Sequence, residues 1–312
     1  MKSVSKFILI VLTTVSAISV YAQQDAQFSM YMFNGMAINP AYAGSRERVA
    51  LTALYRHQWA GFEGAPKTFT FTAHAPVLND RIGIGGGITS DNIGVMNLIS
   101  FNSNYAYRVK FKNETKLAMG ISVTFNNFRQ RFSEITAGNE GDPNFAQNLS
   151  VWSPNFGTGV YYYGEKFYVG ASIPHLINSN LNKSFQFSGT EAVARQWRHY
   201  FFTGGYVFDL GENFKLKPSV LVKYVNNAPV SVDGNLGLLI KEVLWLGASY
   251  RHKDAVIGMI EYNFLNSFRL GYAYDFTTSD LGRYTSGTHE IMLGYEFKKK
   301  DAYLTPRRMT YF

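Results

Sequence analysis

Residues Lys116 to Asn126 sort into two faces with a period of two. Leu117, Met119, Ile121, Val123 and Phe125 alternate with Ala118, Gly120, Ser122, Thr124 and Asn126. A strand separates these sets, whereas a helix would scatter both around its circumference. The pattern recurs at Thr68–Pro76, where Phe69, Phe71, Ala73 and Ala75 oppose Thr68, Thr70, Thr72 and His74. It recurs again at Phe214–Val225, with Leu221 as one apolar intruder on the polar side.

Extending this reading gives fourteen candidate strands, at 48–59, 68–76, 82–91, 94–109, 116–126, 153–163, 166–173, 198–208, 214–225, 229–240, 244–251, 254–264, 268–275 and 288–297. An even count suits a closed barrel, and so do the connections. The long ones, Asn127–Trp152, Pro174–Trp197 and Phe276–Gly287, all follow odd-numbered strands. Short turns such as Val77–Arg81, Gly164–Glu165 and Leu265–Ser267 follow even-numbered ones. Outer-membrane barrels have short periplasmic turns and long outer loops. The fold class expected is therefore all-β, an outer-membrane antiparallel β-barrel of about 14 strands with periplasmic termini. Aromatic content agrees: 21 Tyr and 25 Phe supply the girdles of such a barrel, while mean hydropathy is only −0.12 because one face of each strand is polar.

The N-terminus assigns the compartment. Lys2 and Lys6 precede an apolar stretch from Phe7 to Val20, followed by Val20-Tyr21-Ala22, the layout of a Sec-type signal peptide. The stretch is too short to span a bilayer comfortably as a helix, which takes ~20 apolar residues. Cleavage after Ala22 leaves a mature chain beginning at Gln23. The expected organisation is a signal peptide over 1–22, a segment over 23–47 packed against or inside the lumen, a transmembrane barrel over 48–297 and a basic tail over 298–312. The lumenal packing follows from the aromatic and Met content of 23–47, which would be an aggregation hazard if exposed.

Several chemistries are excluded or disfavoured. The chain has no Cys, so it carries no disulfide framework and no thiolate metal site. The net charge of +8 is scattered, and an exported barrel does not meet nucleic acid. Gly83-Ile84-Gly85-Gly86-Gly87 lacks the Lys-Ser/Thr and the helix of a phosphate loop, and strand glycines mark bends or close backbone approach. His57, His74, His175, His199, His252 and His289 show no metal-ligand spacing. No Ser/His pair is apparent for an embedded hydrolase, and no cofactor is expected. Asn139–Asn144 is oxygen-rich, but the spacing fits a turn better than a calcium loop.

Two constellations stand out. On the proposed register Arg56, Glu261, Arg269, Asp275, Glu290 and Glu296 face inward on the first and last strands, which become neighbours on closure and can pair across the ladder. Gln58, Trp59, Phe62 and Pro66 form the first outer loop, with Asp142 and Pro143 in the longest one. Trp beside Arg is the composition of a protein-binding hot spot, and a girdle Trp reads the same way.

Phe28-Ser29-Met30-Tyr31-Met32-Phe33-Asn34 and Ile38-Asn39-Pro40-Ala41-Tyr42-Ala43-Gly44 resemble the opening signature of the PorP/SprF family of Bacteroidetes. Tyr55-Arg56-His57-Gln58-Trp59, Gly64-Ala65-Pro66-Lys67-Thr68, Asp142-Pro143, Gly271-Tyr272-Ala273-Tyr274-Asp275 and Gly287-Thr288-His289-Glu290 are similar to later blocks. Asn34-Gly35-Met36 departs from the Asn-Pro that often stands near the family's start. The resemblance implies a non-enzymatic component of the type IX secretion and gliding machinery. It implies as partners a secreted adhesin or its C-terminal domain, periplasmic secretion-ring lipoproteins and the lipid bilayer. The rival reading of the same fold is a porin or solute transporter.

Overall fold

A computed structural model describes residues 26–131, 148–180, 195–226, 228–265 and 267–297. The signal peptide, Asp142, Pro143, the Asn139–Asn144 turn and the basic tail lie outside the described residues. The strands are β1 (Ala50–His57), β2 (Lys67–Val77), β3 (Ile82–Ile93), β4 (Met96–Lys110), β5 (Lys116–Gln130), β6 (Leu149–Tyr163) and β7 (Phe167–Ile173). They continue as β8 (His199–Tyr206, resuming at Phe208–Asp209), β9 (Phe214–Val225), β10 (Ser231–Ile240), β11 (Leu244–Arg251), β12 (Ala255–Phe264), β13 (Phe268–Thr277) and β14 (Thr288–Glu296). Each pairs antiparallel with its sequence neighbours, and β1 pairs with β14, so the sheet closes into a 14-stranded antiparallel barrel. The β8–β9 ladder lapses opposite Lys217-Pro218, where proline has no N–H to give.

Outward residues are apolar and exposed, as at Phe69, Phe71, Ile121 and Phe125, while Thr68, Thr70, Thr72 and Asn126 are buried inside. Parity alone sorts them, because lipid lies outside and the packed bore inside. The long connections do follow odd-numbered strands. The loop expected at Asn127–Trp152 is shorter, since β5 runs to Gln130 and β6 starts at Leu149. The polar pair Asn126-Asn127 interrupts the apolar alternation without interrupting the ladder. Pro174–Trp197 holds a short ladder between Ser179–Asn180 and Arg195–Gln196.

Residues 28–46 do not lie outside this wall. They form three short 3-10 turns, Tyr31–Phe33, Gly35–Ala37 and Pro40–Tyr42, whose side chains are almost all buried in the bore. The segment runs from Ser29, level with the long-connection ends of β1 and β13, to Arg46 at the short-turn end, then turns into β1. Ala50 and Glu296 are paired at that short-turn end, so the first described residues and the last strand's end sit at opposite ends of the bore.

A plugged lumen with two charge clusters

The wall is shaped to receive the segment. A Cβ on Gly83 would collide with the Ala43 carbonyl, and one on Gly120 with the Pro40-Ala41 backbone. The glycine run in β3 is thus a close backbone approach, with Met36 sulfur against Gly85. Asn39 caps the third turn by accepting from the Ala41 N–H at 2.9 Å and donates its amide to the Val160 carbonyl at 3.0 Å. Pro40 at the first turn position costs nothing there, since that N–H has no partner in a helix anyway.

Inward-facing apolar residues cover the plug. Leu54, Phe201, Leu221, Leu239, Ile257 and Met292 pack on Met30, Tyr31, Met32, Phe33 and Ile38. Leu221, the intruder on the polar face of β9, is therefore a contact for the plug. The Phe33 ring meets Trp245 edge-on at 5.7 Å. Burying such a side chain contributes about 1.5–3 kcal/mol. Ordering each backbone residue costs roughly 1–2 kcal/mol. Burial and ordering nearly cancel, so hydrogen bonds to the wall decide the register. Asn235 donates to the Tyr31 hydroxyl at 2.7 Å, Thr72 to Asn34 at 2.9 Å, Ser172 to the Ile38 carbonyl at 2.6 Å, and the Gly44 N–H to His74 at 3.0 Å.

The six inward charges expected from the sequence fall into two groups. Arg56, Asp275 and Glu290 meet near the long-connection end. The Arg56 guanidinium reaches Asp275 at 2.8 Å and Glu290 at 2.9 Å, and all three are buried. Glu290 also accepts the backbone N–H groups of Ser29 and Met30 at 2.8 and 2.7 Å, and the Ser29 hydroxyl donates to Asp275 at 2.7 Å. Arg251 joins through Asp275 at 3.4 Å and continues to Asp233 at 3.2 Å, which Lys223 also holds at 3.2 Å. Arg251, Asp233, Lys223 and Ser29 were not foreseen. The same alternation, carried to β9, β10 and β11, places the first three inward.

Glu261, Arg269 and Glu296 sit at the short-turn end. Glu296 receives Arg46 at 3.0 Å and lies 3.7 Å from Arg269. Arg46 donates to the Tyr42 hydroxyl at 3.0 Å. Glu261 and Arg269 are buried beside this pair. Parity fixes which face a residue takes, not its height. Glu290 and Glu296 share a face of β14 yet stand roughly 20 Å apart at ~3.3 Å per residue.

The first loop is tied down. The Gln58 N–H donates to the Pro66 carbonyl at 2.9 Å and the Trp59 N–H to Thr288 at 3.0 Å, while Ala60 and Gly287 bond at 2.7 Å. Phe62 projects, 49% exposed. Among the described residues no group of three or more His, Asp or Glu is placed to hold a metal. His74 and His289 pair with Gly44 and Tyr272.

The fold and its filled bore define an outer-membrane β-barrel of the plugged class. Solved structures agree on the fold. CymD, a monoaromatic hydrocarbon channel, superposes with a TM-score of 0.52 at 11% identity, covering 85% of this chain and 93% of that one. The toluene transporter TbuX of Ralstonia pickettii gives 0.50 at 10% identity, covering 86% and 93%. No protein in the curated comparison matches. The family model described as type IX secretion system membrane protein PorP/SprF matches residues 20–295. The chain belongs to the PorP/SprF family.

Proposed function

We propose that the protein is a non-enzymatic adaptor of type IX secretion that helps secrete or anchor a cell-surface adhesin, with its long connections outside the cell and its short turns in the periplasm. The observation that supports this over a porin is the plug. Ser29 and Met30 are held to Glu290 and Asp275 by direct hydrogen bonds inside the bore. A lumen occupied in this way suits docking of a macromolecule better than diffusion of small solutes. The ordered first loop, with Phe62 exposed between hydrogen-bonded ends, is the partner-facing element, and Asp142 and Pro143, which fall in the β5–β6 connection of the sequence, are proposed as further partner contacts. The short-turn end would meet periplasmic ring lipoproteins.

Affinity purification of the tagged protein from its native outer membrane, followed by mass spectrometry, tests the reading. Recovery of a secreted adhesin or secretion-ring proteins supports it. Recovery of the barrel alone, together with solute-selective current in a planar bilayer, overturns it in favour of a transporter.

A further inference from the structure

The plug does not fill the bore evenly. It packs against β1 and β8–β14 and, through its third turn, against β3–β7 at the short-turn end, and it leaves a cavity of about 190 Å³ beside β3–β6 above that turn. The cavity's floor is the Asn39-Pro40 turn, and its upper lining reaches Ile93, Met96 and Arg129 at the long-connection ends of β3, β4 and β5. Its two sides differ in chemistry. The plug side presents Phe28, Met36, Ala37 and Ile38. The wall side presents uncharged hydrogen-bonding groups: Ser100, Asn102 and Asn104 in one column on β4, and Ser122 and Thr124 on β5.

We propose that this cavity binds an extended, uncharged segment of a polypeptide, with its backbone on the β4–β5 column and its apolar side chains on the plug. The inference rests on the adaptor reading and names where the exported partner is held. Spacing carries it. Inward side chains on one strand recur every second residue, about 6.6–6.8 Å. An extended polypeptide presents its N–H and C=O groups to one side at the same interval. Asn104 donates to Asn102 at 2.9 Å and Ser100 to Asn126 at 2.6 Å, which leaves the Asn102 amide N–H groups to donate and the Asn104 and Ser100 side-chain oxygens to accept. The wall column and a peptide backbone are therefore commensurate over three successive positions.

Charge agrees. The Asp and Arg of the lining are already engaged: Asp91 accepts from Thr68 at 2.6 Å, and Arg129 donates to Asn127 at 2.6 Å. The two are of opposite sign and stand toward the upper end, so the β4–β5 column itself offers a charged ligand no counter-ion. The Gln130 side-chain oxygen is buried at the upper end of the lining and has no hydrogen-bond partner among the described residues. Leaving such an atom buried and unsatisfied is unfavourable. A donor from an incoming backbone N–H removes that cost.

The test places a benzophenone amino acid singly at Asn102, at Phe62 and at lipid-facing Ile121 in the full-length protein in its native membrane. Irradiation is followed by mass spectrometry of cross-linked peptides, with a gel-mobility shift of the unheated sample to show that each barrel is folded. The expected result is a cross-link from Asn102, absent from Ile121, to a stretch of an exported protein free of Asp, Glu, Lys and Arg. Ala37→Trp, which fills the cavity from the plug side, should abolish that cross-link while keeping the mobility shift. A folded barrel that cross-links partner protein from Phe62 but never from Asn102 overturns the cavity proposal and leaves the adaptor reading standing. Absence of polypeptide cross-links at both positions overturns both. A charged segment captured at Asn102, or a cross-link insensitive to Ala37→Trp, also overturns the proposal.

Discussion

The backbone N–H of Ser29 donates to the Glu290 carboxylate at 2.8 Å, joining residues 261 positions apart in the chain. Through this bond the plug is held by the last strand of the barrel. Arg56 on the first strand completes the cluster by binding both Glu290 and Ser29 at 2.9 Å. The plug and the closing seam are thus one polar unit.

Arg56→Met should be strongly destabilising. It leaves Asp275 and Glu290 buried with one cation fewer, and removing one partner of a buried pair costs about 3–5 kcal/mol. The temperature at which the folded band is lost on gels should fall markedly. A variant as heat-resistant as the parent would show that the cluster does not hold the seam.

Gly120→Val should expel the plug without touching a charge. Its side chain would occupy the position of the Pro40-Ala41 backbone. Limited proteolysis should cut within residues 26–46 of the variant barrel, and bilayer recordings should show larger current. In the parent the segment should resist protease and the current should be small.

Ile121→Arg tests the outer face. Ile121 is 60% exposed on the lipid side of β5, and a cation near the bilayer midplane costs about 2–4 kcal/mol. Urea unfolding of the barrel in lipid vesicles should shift to lower denaturant by that amount. An unchanged midpoint would move this face out of the hydrocarbon.

Phe62→Ala should weaken capture of the exported partner while leaving the barrel's stability within about 0.5 kcal/mol, as for other surface positions. The Trp59 and Ala60 backbone bonds that order the loop do not involve the Phe62 side chain. Partner recovery equal to the parent would remove Phe62 from the docking face.

The strand count and the faces were legible because a lipid exterior enforces alternation, and the eye follows Phe69 and Phe71 against Thr68 and Thr70. Arg56 and Glu290 were legible for the same reason, as inward residues on strands that closure makes adjacent. The division of the charges was not. It depends on height along the bore, which only the ladder register supplies, and it separates Glu296 from Glu290. Arg46 was hidden because it precedes any strand and has no parity to follow. Leu221 carried a readable signal: an apolar residue on an inward face calls for an apolar neighbour inside. The cavity is legible only after the plug is placed, since Asn102 and Asn104 look like any polar lumen until Met36 and Ile38 face them.

The pairing of Arg56 with Glu290 also sets an order of events. β1 and β14 are the first and last strands made, and these two residues stand directly opposite across their ladder. Until that ladder zips, Ser29 lacks its acceptors on β13 and β14, and the threaded segment lies in an open trough. Zipping the ladder encircles the segment and latches it in the same step. Seam closure and plug docking are thus coupled through the same residues, and a change that loosens one loosens the other.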